Sequence, residues 1–477
     1  MPHVRRRLST VALVLTAGLG LGSAAGAQGF DIETGLEAID NPATLIEGLH
    51  RLYIGRRISP NVSVGGSVYS AALGDAGGAF FWGFEGVARV PLGERFGLSF
   101  AGFVGGGGGA SQVVGDGLML RAAASLDYRL SAAWDLQASA SWIRIDGAPI
   151  DGPAYGLGLR YRIGGGSVAG AGVPEFDAIG AVVTHMVSPN GTLNRSAGAQ
   201  ADVSIAGARV FFDHGPNTQF TFGSAGAARG AQGYMEITGG LRQRLSVGRL
   251  SFFFAEGSAG FAGGGLVDTG AGLILRGALG VAVPVTRTLD VELAAVATGA
   301  VNGEYRSAGL SLGLTHHLNR QGPGGAGQRW AYTGGIEIQR TGPGYFIAPG
   351  NTAAYTAMQY SSFDYFVGQR VYVTGTAATA VGGGVAGFAV GMFGLGYEIP
   401  IGERWHLSLE GQLGAAGGGG VNTAGGLVAG LRAEVDYRVG QNWRLSAGLG
   451  QLRAVSSGGF SPLTLTLGVK IPFVTHR

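Results

Sequence analysis

Gly117-Leu118-Met119-Leu120-Arg121-Ala122-Ala123-Ala124-Ser125-Leu126-Asp127-Tyr128-Arg129-Leu130 alternates in character with a period of two. Leu118, Leu120, Ala122, Ala124, Leu126, Tyr128 and Leu130 fall on one face. Met119, Arg121, Ala123, Ser125, Asp127 and Arg129 fall on the other. A strand sends successive side chains to opposite faces, so this stretch reads as a strand with one apolar and one polar face. Leu431–Val439 behaves alike: Leu431, Ala433, Val435, Tyr437 and Val439 oppose Arg432, Glu434, Asp436 and Arg438. Near the chain end Leu463, Leu465, Leu467, Val469, Ile471 and Phe473 oppose Thr464, Thr466, Gly468, Lys470 and Pro472. No comparably long stretch carries a 3.6-residue period, so the fold is all-β.

The pattern occurs three times. Val90-Pro91-Leu92-Gly93-Glu94-Arg95-Phe96-Gly97-Leu98-Ser99 returns as Ile399-Pro400-Ile401-Gly402-Glu403-Arg404-Trp405-His406-Leu407-Ser408, and a glycine tract follows each. A more diverged middle copy runs through Ser246-Val247-Gly248-Arg249-Leu250-Ser251 and Gly263-Gly264-Gly265. Self-similarity at a fixed period sets the architecture. The copies are placed at 28–165, 174–318 and 328–477, with Gly-rich junctions Gly164–Gly172 and Asn319–Gln328. Each copy accommodates about eight strands. In the third they are expected near 329–340, 355–365, 367–379, 385–399, 404–416, 426–439, 443–455 and 462–473. Short turns follow the fourth and sixth strands, and longer Gly-rich loops follow the first, fifth and seventh. Short turns at one end and long loops at the other is the layout of a membrane barrel.

Composition removes most other classes. The chain has 477 residues, 93 Gly, no Cys, 13% charged residues and a net charge of +3. Its 46% hydrophobic content excludes simple disorder. Without cysteine there is no disulfide, thiolate zinc site or cysteine nucleophile. Charges are too sparse for a nucleic-acid footprint. Lys470, the only lysine, follows Gly468-Val469, which excludes a phosphate-binding loop of the G-x-x-x-x-G-K type. None of the histidines sits in a metal-ligand spacing, and the adjacent His316 and His317 face opposite sides of a strand. His185 beside Ser188 reads as a loop coincidence. No enzyme, metal site or cofactor is expected. Thr374–Tyr397 is long and uncharged, but its eight glycines argue against a spanning helix.

Met1–Ala27 reads as a secretory signal: Arg5-Arg6-Arg7, then the apolar Leu8–Gly22, then the small-x-small site Ala25-Gly26-Ala27. The mature chain would start at Gln28. Strands of about 10–14 residues are long enough to cross a bilayer at a tilt. Tyr128 and Trp134 bracket one short turn, Tyr437 and Trp443 another, and Phe96 and Trp405 begin the strand after a third and fourth. Amphipathic rings at constant depth form an interfacial girdle.

The end of the last strand, Thr466-x-Gly468-x-x-Ile471-x-Phe473, resembles the C-terminal assembly signal of Gram-negative outer-membrane β-barrel proteins. It departs in that Val474-Thr475-His476-Arg477 follow the aromatic residue. The resemblance is to the class and carries no specific family motif. It implies an antiparallel up-and-down transmembrane β-barrel in the outer membrane, with outer-membrane lipid and the barrel-assembly machinery as partners.

Two closures are open. Gly97, Ser99 and Ala101 point inward and would fill an eight-stranded interior poorly, which favours one wide barrel of about 24 strands. The long junctions favour three narrow ones. The wide barrel is the reading taken. Its lumen would be lined by Glu85, Arg89, Arg121, Asp127, Arg129, Arg160 and Arg162 in the first copy and by Arg432, Glu434, Asp436 and Arg438 in the third. Charged lumen residues set ion selectivity, so the expected function is a passive porin-like channel for small solutes. The alternative is a non-conducting structural or surface-binding barrel.

Overall fold

The computed structural model describes residues 29–41, 43–163, 175–247, 251–318, 328–347, 350–439, 443–456 and 458–475. The signal segment Met1–Ala27 and most of both junctions lie outside the described residues. The first eight strands are β1 (Phe30–Ile39), β2 (Ile46–Ser59), β3 (Val62–Gly74), β4 (Phe80–Pro91), β5 (Phe96–Gly108), β6 (Leu118–Arg129), β7 (Trp134–Ile145) and β8 (Ile150–Ile163). Next come β9 (Glu175–Val187), β10 (Val203–Asp213), β11 (Thr218–Arg229), β12 (Met235–Val247), β13 (Ser251–Gly263), β14 (Leu273–Pro284), β15 (Leu289–Ala300) and β16 (Arg306–His317). The last eight are β17 (Gln328–Arg340), β18 (Tyr355–Phe366), β19 (Val371–Gly382), β20 (Ala389–Ile401), β21 (Trp405–Gly417), β22 (Leu427–Arg438), β23 (Arg444–Ala454) and β24 (Leu463–Thr475).

Every neighbouring pair is antiparallel, and each set of eight closes on itself. β1 pairs with β8 from Phe30↔Ile163 to Ile39↔Ala154. β9 pairs with β16, and β17 with β24, where Trp330 lies opposite Phe473. The single wide barrel expected from the small inward residues is therefore not formed. The chain forms three separate narrow barrels.

The inward glycines explain why that expectation fails. They are not gaps. A Cβ at Gly55 would lie 1.9 Å from the Tyr53 hydroxyl, and one at Gly396 would lie 2.2 Å from the Tyr372 ring. At Gly105 the Phe103 ring and at Gly280 the Phe254 ring stand 2.5 Å from the same point. A large ring on one inward position lies down across the next, and only glycine leaves it room. Few side chains thus fill an interior that eight strands leave just wide enough for them.

The outward face is apolar along the strands. Leu431 is 73% exposed, while its neighbour Arg432 is 7% exposed and points inward. Leu157, Leu279, Leu310, Leu395 and Leu449 are likewise exposed on outward positions. At the short-turn ends, aromatic residues pair across strands: Phe96 with Tyr128, Trp134 with Tyr161 and Trp405 with Tyr437, at centroid distances of 4.6–5.2 Å. Turn arginines reach the same rings. Arg95 donates to the Tyr128 hydroxyl at 3.3 Å, and Arg404 to Tyr437 at 3.2 Å.

The barrels join at their long-loop ends by one repeated contact. The third strand of each barrel meets the fifth of another: β3 meets β13, β11 meets β21, and β19 meets β5. The loops above these strands interlock through backbone. Gly77 N donates to Gly270 O at 3.0 Å, and Gly387 N to Gly107 O at 2.8 Å. Gln232 Nε2 donates to Val421 O at 2.6 Å. The glycine tracts sit here. Gly78 has φ of +93° and passes so close to the next barrel that a Cβ would lie 2.3 Å from Gly264 N. Asp116 Oδ1 accepts from the amides of both Gly383 and Gly384 at 3.1 Å.

Gly78→Val therefore adds bulk where backbone touches backbone, at a φ that valine avoids. Overpacking of this kind costs about 1–3 kcal/mol. Urea unfolding in detergent should show that loss for Gly78→Val. Gly86→Ala, whose Cβ meets nothing within 4 Å, should match the parent. Equal stability of the two variants would refute the backbone junction.

Candidate functional site

Inside each barrel, period-two alternation turns charged side chains of several strands toward one another. In the first barrel Arg51 on β2 donates to Glu85 on β4 at 2.8 Å and to Glu33 on β1 at 2.9 Å. Arg121 on β6 pairs with Glu37 and lies 3.5 Å from Glu85. Glu85 also accepts from Ser67 and, at 3.1 Å, from the Tyr69 hydroxyl. Arg89 pairs with Glu33 and, at 3.0 Å, with Asp31. Arg160 and Arg162 both hold Asp135, the latter at 2.8 Å.

The second barrel repeats the chemistry with other positions. Arg242 sits between Glu256 and Glu292, 2.9 Å from each, with its guanidinium 3.9 Å from the Phe254 ring centroid. Arg276 pairs with Glu236 at 2.5 Å. His317 places Nδ1 3.0 Å from Asp177 and Nε2 2.9 Å from Asp290. In the third barrel Arg432 holds Glu410 at 2.5 Å and the Tyr360 hydroxyl. Lys470 pairs with Glu434 and, at 3.1 Å, with Asp436. Arg444 holds Glu398 at 2.8 Å.

Toward the long loops the interiors turn apolar. Tyr69, Phe81, Phe103 and Met119 fill the first barrel, while Tyr345, Phe388 and Phe460 fill the mouth of the third. Tyr345 comes from a loop and donates to Gln339 at 2.8 Å. Burial pushes its phenol well above the usual tyrosine range, so the ring stays neutral. The cavity between Glu337, Tyr360, Gln412, Arg432 and Thr464 measures ≈ 20 Å³. That is room for about one water.

The eleven sequence-selected positions sort into three groups. Glu85, Arg89, Arg121, Arg160, Arg162, Arg432, Glu434 and Asp436 turn inward and join ion pairs. Asp127 turns inward but accepts from Ser99 and, at 3.0 Å, from Gln137. Arg129 and Arg438 are exposed at strand ends on the short-turn side. Sequence reading missed Glu33, Glu37, Arg51, Glu398, Glu410 and Arg444, and all of the second barrel. The parity of β13 and β15 would have placed Glu256 and Glu292 inward. His185 Nδ1 lies 3.0 Å from Ser204 Oγ, on the neighbouring strand β10. Among the described residues no metal-holding group of His, Asp and Glu is found.

No protein-family model matches the chain. No curated protein matches it either. Several solved structures align weakly along most of its length. One is the siderophore receptor PirA from Pseudomonas aeruginosa, at 10% identity and TM-score 0.31, covering 95% of this chain and 81% of that one. Another is OccK11 (OpdR) from the same organism, at 11% identity and TM-score 0.24, covering 94% and 96%. The outer membrane protein opdK aligns at 12% identity and TM-score 0.22, covering 94% and 98%. Superposition this loose carries no inference, and the reading of this chain rests on its own strands and side chains.

Removing one member of a buried ion pair leaves the other uncompensated, at a cost of about 3–5 kcal/mol. Arg242→Met should lose that much in urea unfolding. Adding Glu256→Gln and Glu292→Gln should restore more than half of it. Arg438→Gln, at the exposed rim, should stay within about 0.5 kcal/mol of the parent. A harmless Arg242→Met would mean that the interior is wet.

Proposed function

We propose that this chain is a non-conducting outer-membrane protein: three filled barrels that form a rigid membrane scaffold and display their long loops as a surface. One observation carries the reading. The inward charges are buried and engaged with one another, as in Arg51 with Glu33 and Glu85, Arg242 with Glu256 and Glu292, and Lys470 with Glu434 and Asp436. An ion-selective pore needs such charges in water. Passage of small solutes through the barrel interiors has correspondingly little support.

Several features favour the outer membrane. The outward leucines and the aromatic pairs at one depth suit a hydrocarbon slab with an interfacial girdle. The signal-like Met1–Ala27 and the Thr466–Phe473 motif fit export and handling by the barrel-assembly machinery. Phe473 stacks on Trp330 at the seam between β24 and β17, where the third barrel closes. We assign no catalytic role to any residue.

Two measurements test this. The protein should fractionate with the outer membrane and migrate faster in unheated than in heated gels. Reconstituted in planar bilayers, it should give no single-channel steps. Steps in conductance would overturn the scaffold reading, whereas recovery as a soluble protein without detergent would overturn the membrane placement.

A further inference from the structure

Below the interlocked loops the barrels part around a space of ≈ 3450 Å³. Its wall includes Ile54, Phe84, Phe222, Ile237, Ile336 and Phe393, drawn from all three barrels and all on outward strand positions. Protein interiors keep few voids larger than a water molecule. Water fills a cavity only where it finds polar partners, about two to four each. This wall offers few, since its backbone groups are spent in the strand ladders. The material that suits it is hydrocarbon.

The two ends of the space differ. The long-loop end is closed by the backbone collar of Gly77 with Gly270, Gly387 with Gly107, and Gln232 with Val421. The short-turn end carries Arg56, exposed on an outward position of β2 opposite Phe30, and Arg56 borders the same space. Trp330 and Tyr365 border it at that end too, their rings 4.7 Å apart. A guanidinium at the mouth of an apolar space is complementary to a phosphate ester, which it binds through paired N–H donors.

We propose that glycerophospholipid from the leaflet at the short-turn side is held between the barrels, with its acyl chains in the inter-barrel space and its phosphate on Arg56. The proposal rests on the membrane placement above. The chains supply the hydrocarbon that the wall requires, and the collar forces the head group to the other end. The lipid then acts as a structural filler between barrels that touch mainly at their loops.

Native mass spectrometry of protein extracted from outer membranes in detergent tests this directly. The parent should retain phospholipid adducts after collisional activation has stripped boundary lipid. Gly86 and Gly391 border the space, and a Cβ at either meets nothing within 4 Å. Gly86→Trp combined with Gly391→Trp should abolish the adducts. Gly277→Trp, in equally open surroundings on β14 away from the space, should keep them. Arg56→Gln should weaken retention about tenfold, the loss of a charge-assisted hydrogen bond. An outer-membrane protein without phospholipid adducts overturns the proposal and leaves the placement standing. So do adducts that persist in the double tryptophan variant, or lipopolysaccharide as the retained lipid. Absence from the outer membrane overturns placement and proposal together.

Discussion

A barrel of eight strands has an interior one side chain deep. Little water fits there, so an inward charge must find an opposite charge or hydrogen-bond donors across the barrel. The rest of the structure follows from meeting that demand three times. Arg51 bridges Glu33 and Glu85, Arg242 bridges Glu256 and Glu292, and Lys470 bridges Glu434 and Asp436. These clusters hold their strands in place, since a one-residue slip of a strand that carries an inward charge would send that charge toward lipid. The pairing therefore fixes register as well as filling space.

Glycine serves two opposed purposes in this architecture. Inside the barrels it is a floor on which a ring lies, as at Gly55 beneath Tyr53 and Gly396 beneath Tyr372. At the loop collar it lets one backbone touch another, as at Gly78 against Gly264. Neither use is flexibility. Both remove a Cβ so that something larger can come near. A composition that looks like that of a loose chain belongs to a tightly fitted one.

Period-two alternation made the strands legible. Leu431, Ala433 and Val435 do face outward, and Arg432, Glu434 and Asp436 do face inward. The aromatic residues around the short turns were equally readable, because Tyr437 and Trp405 recur at fixed distances from turn residues. Closure was not legible. Whether β8 returns to β1 or continues into β9 depends on packing volume inside the barrel, and glycine reads as empty until the ring above it is seen. Part of the charge cluster in the first and third barrels was also hidden. Glu33, Glu37 and Arg51 lie on strands whose alternation is blurred by inward tyrosine and outward histidine, such as Tyr53 and His50. The second barrel was obscure for a related reason, since its inward charges are spread thinly over β12, β13, β14 and β15.

The contact of third strand on fifth strand is head-to-tail: the two surfaces that meet are different. Such contacts propagate without limit unless the rotation between units brings the last back to the first. Here β19 of the third barrel returns to β5 of the first, so the ring closes within one polypeptide. No unsatisfied third-strand or fifth-strand face is left to recruit another chain. Assemblies of separate subunits loosen on dilution, because their cohesion depends on concentration. Covalent continuity makes this ring immune to that effect. Its three barrels stay together at a single copy per membrane as firmly as at saturation.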